Sequence, residues 1–145
     1  MQIHASCAAR DGAGVLILGA SGAGKSDMVL RLIDRGFILV ADDRVIIENG
    51  LASPVASLAG LIEVRGLGLL RLPFQAPARL ALAIELTGPP ERLPMPMRHP
   101  TLDLPLCRLD PRAASAAQRA VLALDCALGR ISQAAGAFAP KAAMP

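Results

Sequence analysis

The chain has 145 residues, of which 53% are apolar, a formal charge of +3, and neither Trp nor Tyr. That length and apolar content predict one folded domain with its own core and exclude a disordered chain. Three Phe and a scatter of basic residues exclude the stacking platforms and the basic stripe of a nucleic-acid binder.

Ile3 to Ala9 alternates weakly and is followed by Arg10-Asp11-Gly12 and the apolar run Val15-Leu16-Ile17-Leu18. Asp-Gly between two strand-like runs is a hairpin signal. It lays the first strand antiparallel to the second and brings His4 toward the end where the second strand stops. Taken alone, His4 reads as an ordinary strand residue.

Gly19-Ala20-Ser21-Gly22-Ala23-Gly24-Lys25-Ser26 fits the P-loop pattern, with a buried strand before it and a predicted helix from Ser26 to Arg35 after it. Glycines let backbone N–H groups turn inward around phosphate oxygens, and the helix N-terminus adds partial positive charge. Lys25 is then placed for the β- and γ-phosphates and the Ser26 hydroxyl for Mg²⁺, so a nucleoside triphosphate is the expected ligand.

Gly36 is a natural helix stop, and Phe37 to Ala41 suits a strand buried on both faces. Strand, helix and strand form a βαβ-like unit. Ligands in such sheets lie off the carboxyl ends of the strands, which turns Asp42-Asp43 toward the glycine loop. Arg44 to Glu48, Asn49-Gly50 and Leu51 to Val55 read as strand, turn and return strand. In Leu61 to Leu70, Glu63 and Arg65 share a strand face at i and i+2, which an edge-strand ion pair explains as well as a site does.

Ala78 to Leu86 reads as another apolar strand. Seven prolines between Thr87 and Pro111 exclude a helix and leave one strand near Leu104 to Leu109. Asp110-Pro111 supplies N-cap and N1 of a final helix with Val121, Leu124, Leu128 and Ile131 on its buried stripe. Residues 1–133 make the domain and 134–145 a flexible tail. No run reaches 18 uninterrupted apolar residues, so no membrane span is expected, and the first residues lack the pattern of a secretory signal. Cys7, Cys107 and Cys126 share no metal-ligand spacing and read as reduced thiols of a cytoplasmic protein.

Three stretches together resemble the catalytic domain of the HPr kinase/phosphorylases: Gly19–Asp27, Leu39–Val45 and Leu61–Leu69, with a histidine upstream at His4. The resemblance is dense from His4 to about Leu70 and similar to the short, single-domain proteobacterial forms. It departs from the family at Ala20, where an acidic residue is common, and at Asp27, where glutamate is usual. It implies an α/β fold, a P-loop-containing mixed sheet flanked by helices of the HPr kinase-like (phosphoenolpyruvate-carboxykinase-like) type. The implied activity is ATP- and Mg²⁺-dependent phosphorylation of a serine on an HPr-like phosphocarrier protein, in phosphotransferase-system regulation.

Carried over by position, Asp42 and Asp43 include the general base, with Asp43 favoured. Glu63 is implied as a carboxylate of the Mg²⁺ network, Arg65 as part of the run lining the site, and His4 as a neighbour of the transferred phosphoryl group. Arg92 is the nearest match to a later catalytic arginine, and Arg108 to Arg112 to the segment tied to phosphorolysis. Self-association is compatible with this pattern. A small-molecule P-loop kinase and a nucleotide-binding regulatory module without turnover are the alternatives. The first needs a lid, and the second has no use for three acidic residues.

Overall fold

The computed structural model describes residues 1–139. Its strands are β1 (Gln2–His4), β2 (Ser6–Arg10), β3 (Ala13–Leu18), β4 (Ile38–Ala41), β5 (Arg44–Glu48), β6 (Leu51–Pro54), β7 (Leu61–Val64), β8 (Gly68–Arg71), β9 (Ala78–Leu86), β10 (Met97–Arg98) and β11 (Pro105–Leu109). The helices are α1 (Lys25–Ile33) and α2 (Ala116–Ala127), with a 3₁₀ turn at Ala56–Leu58.

Nine strands form one mixed sheet, seven of them in the order β1-β5-β6-β9-β3-β2-β4, with β11 joined to β9 and β10 to β11, and β7 and β8 pair as a separate hairpin. β9 is the centre. It runs parallel to β3 along one edge, while β6 and β11 pair with its first and last residues respectively. The apolar run of β3 reads as continuous, without alternation, because both its faces are covered: Val15 and Ile17 face the helices and Leu16 the opposite side.

The expected hairpins form. Asp11 and Gly12 turn β2 into β3, and Asn49 and Gly50 turn β5 into β6, all four with positive φ. Two successive positive φ values match the right-handed twist of the flanking strands, which is why Asp-Gly and Asn-Gly mark such turns. β4 is parallel to β3 as a βαβ unit requires, but it is not its neighbour. β2 lies between them, antiparallel to both.

The β1–β2 segment and the β4–β5 segment form one long antiparallel ribbon with a break. Cys7 lies opposite Ala41 on one side of it and His4 opposite Arg44 on the other. At the break stand Ala5, Asp42 and Asp43, and the Ala5 N–H bonds to the Asp43 carbonyl at 3.2 Å. The ribbon thereby leads from one end of the sheet to the other, and the sheet curls. Small residues and aliphatics, among them Ala5, Leu16, Val40, Val45, Ala52 and Ala83, fill the inside. On the other face Met28, Val29 and Leu32 of α1 and Ala120 and Leu124 of α2 bury Ile17, Leu82 and Ile84. Each such aliphatic side chain withdrawn from water stabilises the fold by about 1.5–3 kcal/mol.

Two expectations about the C-terminal part are corrected. The final helix starts at Ala116, not at Pro111, because Asp110 caps a turn: its carboxylate accepts the Arg112 N–H at 2.9 Å. Its buried stripe is Ala116, Ala117, Ala120, Ala123 and Leu124, while Leu128 and Ile131 are exposed beyond the helix end. Alanines let α2 approach the sheet closely, and Gly129, with φ +74°, ends it. Of the expected tail, Ala137 and Phe138 pack against the core, so 134–139 is not wholly frayed; 140–145 lies outside the described residues.

Candidate active site

The loop between β3 and α1 is shaped by two glycines. A Cβ on Gly19 would stand 3.0 Å from the Ala23 Cβ. Gly24, at φ +102°, is the N-cap of α1 and gives that helix no side-chain cap. The first-turn N–H groups of a helix have no partner within it, and the residues that carry them in α1, Lys25, Ser26 and Asp27, line a cavity. Lys25 is buried, and its ammonium donates to the Gly19 and Ala20 carbonyls at 2.9 and 3.0 Å. Such a donor set, an uncapped helix start with a lysine across the loop, fits a polyphosphate.

The break in the ribbon supplies the acidic side. Asp42 is 7% exposed. Its Oδ1 accepts from the Ser26 and Ser6 hydroxyls, both at 2.7 Å, and its Oδ2 from the Glu63 N–H at 3.3 Å. Asp43 points the other way, outward, at 58% side-chain exposure, with Oδ1 3.4 Å from His4 Nδ1. Its φ is +69°, a left-handed conformation that aspartate tolerates better than most residues.

A cavity of about 410 Å³ joins these pieces. His4, Ser21, Gly22, Gly24, Lys25, Ser26, Asp43, Glu63 and Arg65 line it, together with Ser6 and Asp27. Gly19, Ala20 and Ala23 belong to the loop without lining the cavity. Arg65 reaches it from the β7–β8 turn and not from a strand, since β7 ends at Val64. Among the described residues Glu63 and Arg65 form no ion pair with each other, so both stay available to the cavity.

Two of the sequence expectations fall elsewhere. Arg92 is exposed on the Pro-rich segment and does not reach the cavity; Pro89, Pro90, Pro94 and Pro96 around it leave that stretch no helix or strand. Arg108 pairs with Glu85 at 2.8 Å and Arg112 with Asp110 at 3.3 Å. Ser6 was not singled out by sequence, although it stands two residues after His4 on a strand-like run, the spacing of one face.

Among the described residues no group of three or more His, Cys, Asp or Glu is arranged to hold a metal alone. A cation carried in with phosphate oxygens needs fewer protein ligands than that: Mg²⁺ commonly takes one or two and completes its shell with phosphates and water. The Ser26 hydroxyl, whose proton is committed to Asp42, keeps its lone pairs for such a cation.

Residues 1–74 match the family model of the HPr serine kinase C-terminal domain. The chain belongs to this family. An HPr kinase/phosphorylase of Cupriavidus metallidurans is 39% identical over 131 residues, covering 77% of this chain and 40% of the relative. One of Mycoplasmopsis pulmonis is 40% identical over 76 residues, covering 48% of this chain and 24% of the relative. The chain thus spans less than half the length of these curated relatives. Among solved structures, an Hpr(Ser) kinase/phosphatase of Coxiella burnetii superposes with a TM-score of 0.69 at 27% identity, covering 90% of this chain and 92% of that one. The mixed α/β architecture of this kinase family is therefore shared over nearly the whole described chain. No described helix is long and apolar enough to cross a membrane.

Proposed function

We propose that this chain is an ATP-dependent protein-serine kinase acting on an HPr-like phosphocarrier, with residues 1–133 as its catalytic domain, a P-loop fold of the phosphoenolpyruvate-carboxykinase-like type, and the cytoplasm as its place of work. The observation that carries this is the single cavity in which the glycine loop, Lys25 and Ser26 meet His4, Asp43, Glu63 and Arg65.

The α1 N-terminus and Lys25 hold the polyphosphate, the lysine exchanging loop carbonyls for phosphate oxygens. Ser26 and Glu63 would hold Mg²⁺, which when bound would supply charge neutralisation. Asp42, inward and accepting from three donors, orients Ser26. Asp43 faces the open side and is the general base: it takes the proton from the acceptor seryl oxygen as that oxygen bonds to the γ-phosphorus and the β–γ bridge breaks. His4, beside Asp43, holds that carboxylate toward the acceptor. Arg65 adds positive charge at the mouth, where negative charge spreads over the transferring oxygens.

A protein acceptor fits an open mouth with half-exposed base and histidine. The Pro-rich segment that would have to act as a lid for a small metabolite carries no helix. The test is incubation with labelled ATP, Mg²⁺ and an HPr-type carrier, the expected product being labelled serine on the carrier. Asp43→Asn should keep nucleotide affinity and lose about 10²–10⁴-fold in turnover. A variant that turns over as fast as the parent removes Asp43 from the mechanism, and a protein that labels a metabolite but no carrier removes the acceptor assignment.

A further inference from the structure

We propose that Ser6 is a positioning residue that fixes both aspartates of the site at once. This rests on the kinase reading above and adds to it a residue outside the glycine loop and the acidic pair.

Ser6 is fully buried in β2. A buried serine in a strand has a simple way to satisfy its hydroxyl, a bond to a nearby backbone carbonyl. Ser6 does otherwise. Its hydroxyl donates to Asp42 Oδ1 at 2.7 Å, and the Asp43 N–H donates back to the Ser6 oxygen at 3.4 Å. One hydroxyl thereby touches the side chain of one aspartate and the backbone of the next.

The location gives that contact its purpose. Asp42 and Asp43 sit where the ribbon ladder is interrupted, and there the backbone has few partners of its own. Asp43 is held in a left-handed conformation, which persists only where the surroundings over-determine it. The two oxygens of Asp42 collect donors from three elements: Ser6 from β2, Ser26 from α1 and the Glu63 N–H from β7. Ser26 and Glu63 are the residues assigned to the cation, so the carboxylate they share sets their relative position. Of the three donors, Ser6 alone also binds Asp43. Without it, Asp42 keeps only the Ser26 hydroxyl and the Glu63 N–H, and the Asp43 N–H loses an acceptor. Cation binding through Ser26 and proton acceptance at Asp43 should both suffer.

The experiment compares Ser6→Ala, Ser6→Cys and Ser6→Thr in the full chain. Thermal melting is followed alongside, and nucleotide affinity is measured by calorimetry with Mg²⁺ and with EDTA. Ser6→Cys keeps the volume and loses the strong hydrogen bonds; Ser6→Thr keeps the hydroxyl. In the Ala and Cys variants, Mg²⁺-dependent affinity for ATP should fall about tenfold, the usual range for losing a group that orients a metal ligand. Affinity in EDTA should stay unchanged. The kcat for carrier phosphorylation should fall by a similar factor with the carrier KM unmoved, and Ser6→Thr should recover most of both.

The proposal is overturned if a folded Ser6→Cys keeps Mg²⁺-dependent affinity and kcat within twofold of the parent. It is equally overturned if a Ser6→Thr that melts like the parent is no better than Cys. The binding arm needs no carrier. A parent protein that labels no carrier would therefore end the kinase assignment, while the Mg²⁺ difference would still decide the role of Ser6.

Discussion

Asp42 and Asp43 are adjacent in sequence and opposite in environment. The first faces inward onto three donors and the second outward past His4. Alternation along a strand already turns neighbours to opposite faces, and the left-handed backbone at Asp43, φ +69°, comes where the ladder between β4 and β5 is interrupted. The cysteines offer a separate prediction at this scale. Burial pushes the Cys7 and Cys107 thiols from an ordinary value near 9 up to about 12. Between those values the unfolded chain releases protons that the folded chain retains, so stability is full below about pH 9 and lost as pH rises toward 12. Each thiol contributes a slope of about 1.4 kcal/mol per pH unit in that window. Denaturant midpoints from pH 8 to 10.5 should decline, and a Cys7→Ala, Cys107→Ala double variant should flatten the decline. An equally steep decline without the thiols would remove them as its cause.

Among the elements, the β7–β8 hairpin bears most directly on the acceptor. Its turn places Arg65 in the cavity, and Leu67, two residues on, and Leu69 of β8 are 75% and 65% exposed. Exposed leucines flanking a site suit contact with the apolar surface of a folded partner. Leu67→Ser with Leu69→Ser should raise the carrier KM about tenfold and leave nucleotide affinity unchanged, measured by steady-state labelling and calorimetry; an unchanged KM would place docking elsewhere. The site elements were the legible ones. The glycine loop, the double aspartate and both hairpins follow short-range rules, in which a few residue types dictate the local backbone. Long-range placement did not follow. The insertion of β2 between β3 and β4 depends on pairing energies no local pattern carries. The start of α2 is not legible locally because Asp110 can cap a helix or a turn, and here it caps a turn. Ser6 escaped notice because a small polar residue among alanines has meaning only once Asp42 is seen beside it. Arg92 has only a short local likeness to the family's arginine, and it lies in an exposed, Pro-rich stretch.

At the scale of the whole molecule, the fold is organised by a strand that the motifs do not include. β9 pairs with β3 on one edge and with β6 and β11 on the other, and its Leu82 and Ile84 lie at the centre of the core under both helices. Gly19, the first residue of the loop, lies against the Leu86 backbone at the end of β9. The glycine loop therefore rests on a neighbour more than 60 residues away in sequence.

The stretch that matches the family model ends at residue 74, and β9 begins at Ala78. During synthesis the recognisable half emerges first, with β3 lacking its parallel partner and an apolar edge exposed. Contacts between distant segments form late and leave such edges open to other chains. A chain ending at Phe74 should show no cooperative melting and no nucleotide binding, whereas one ending at Ala139 should show both; a cooperative transition in the shorter chain would refute this. The nascent protein would then have its complete phosphate-binding motif long before it has a binding site, and would need shelter from aggregation until residue 86 arrives.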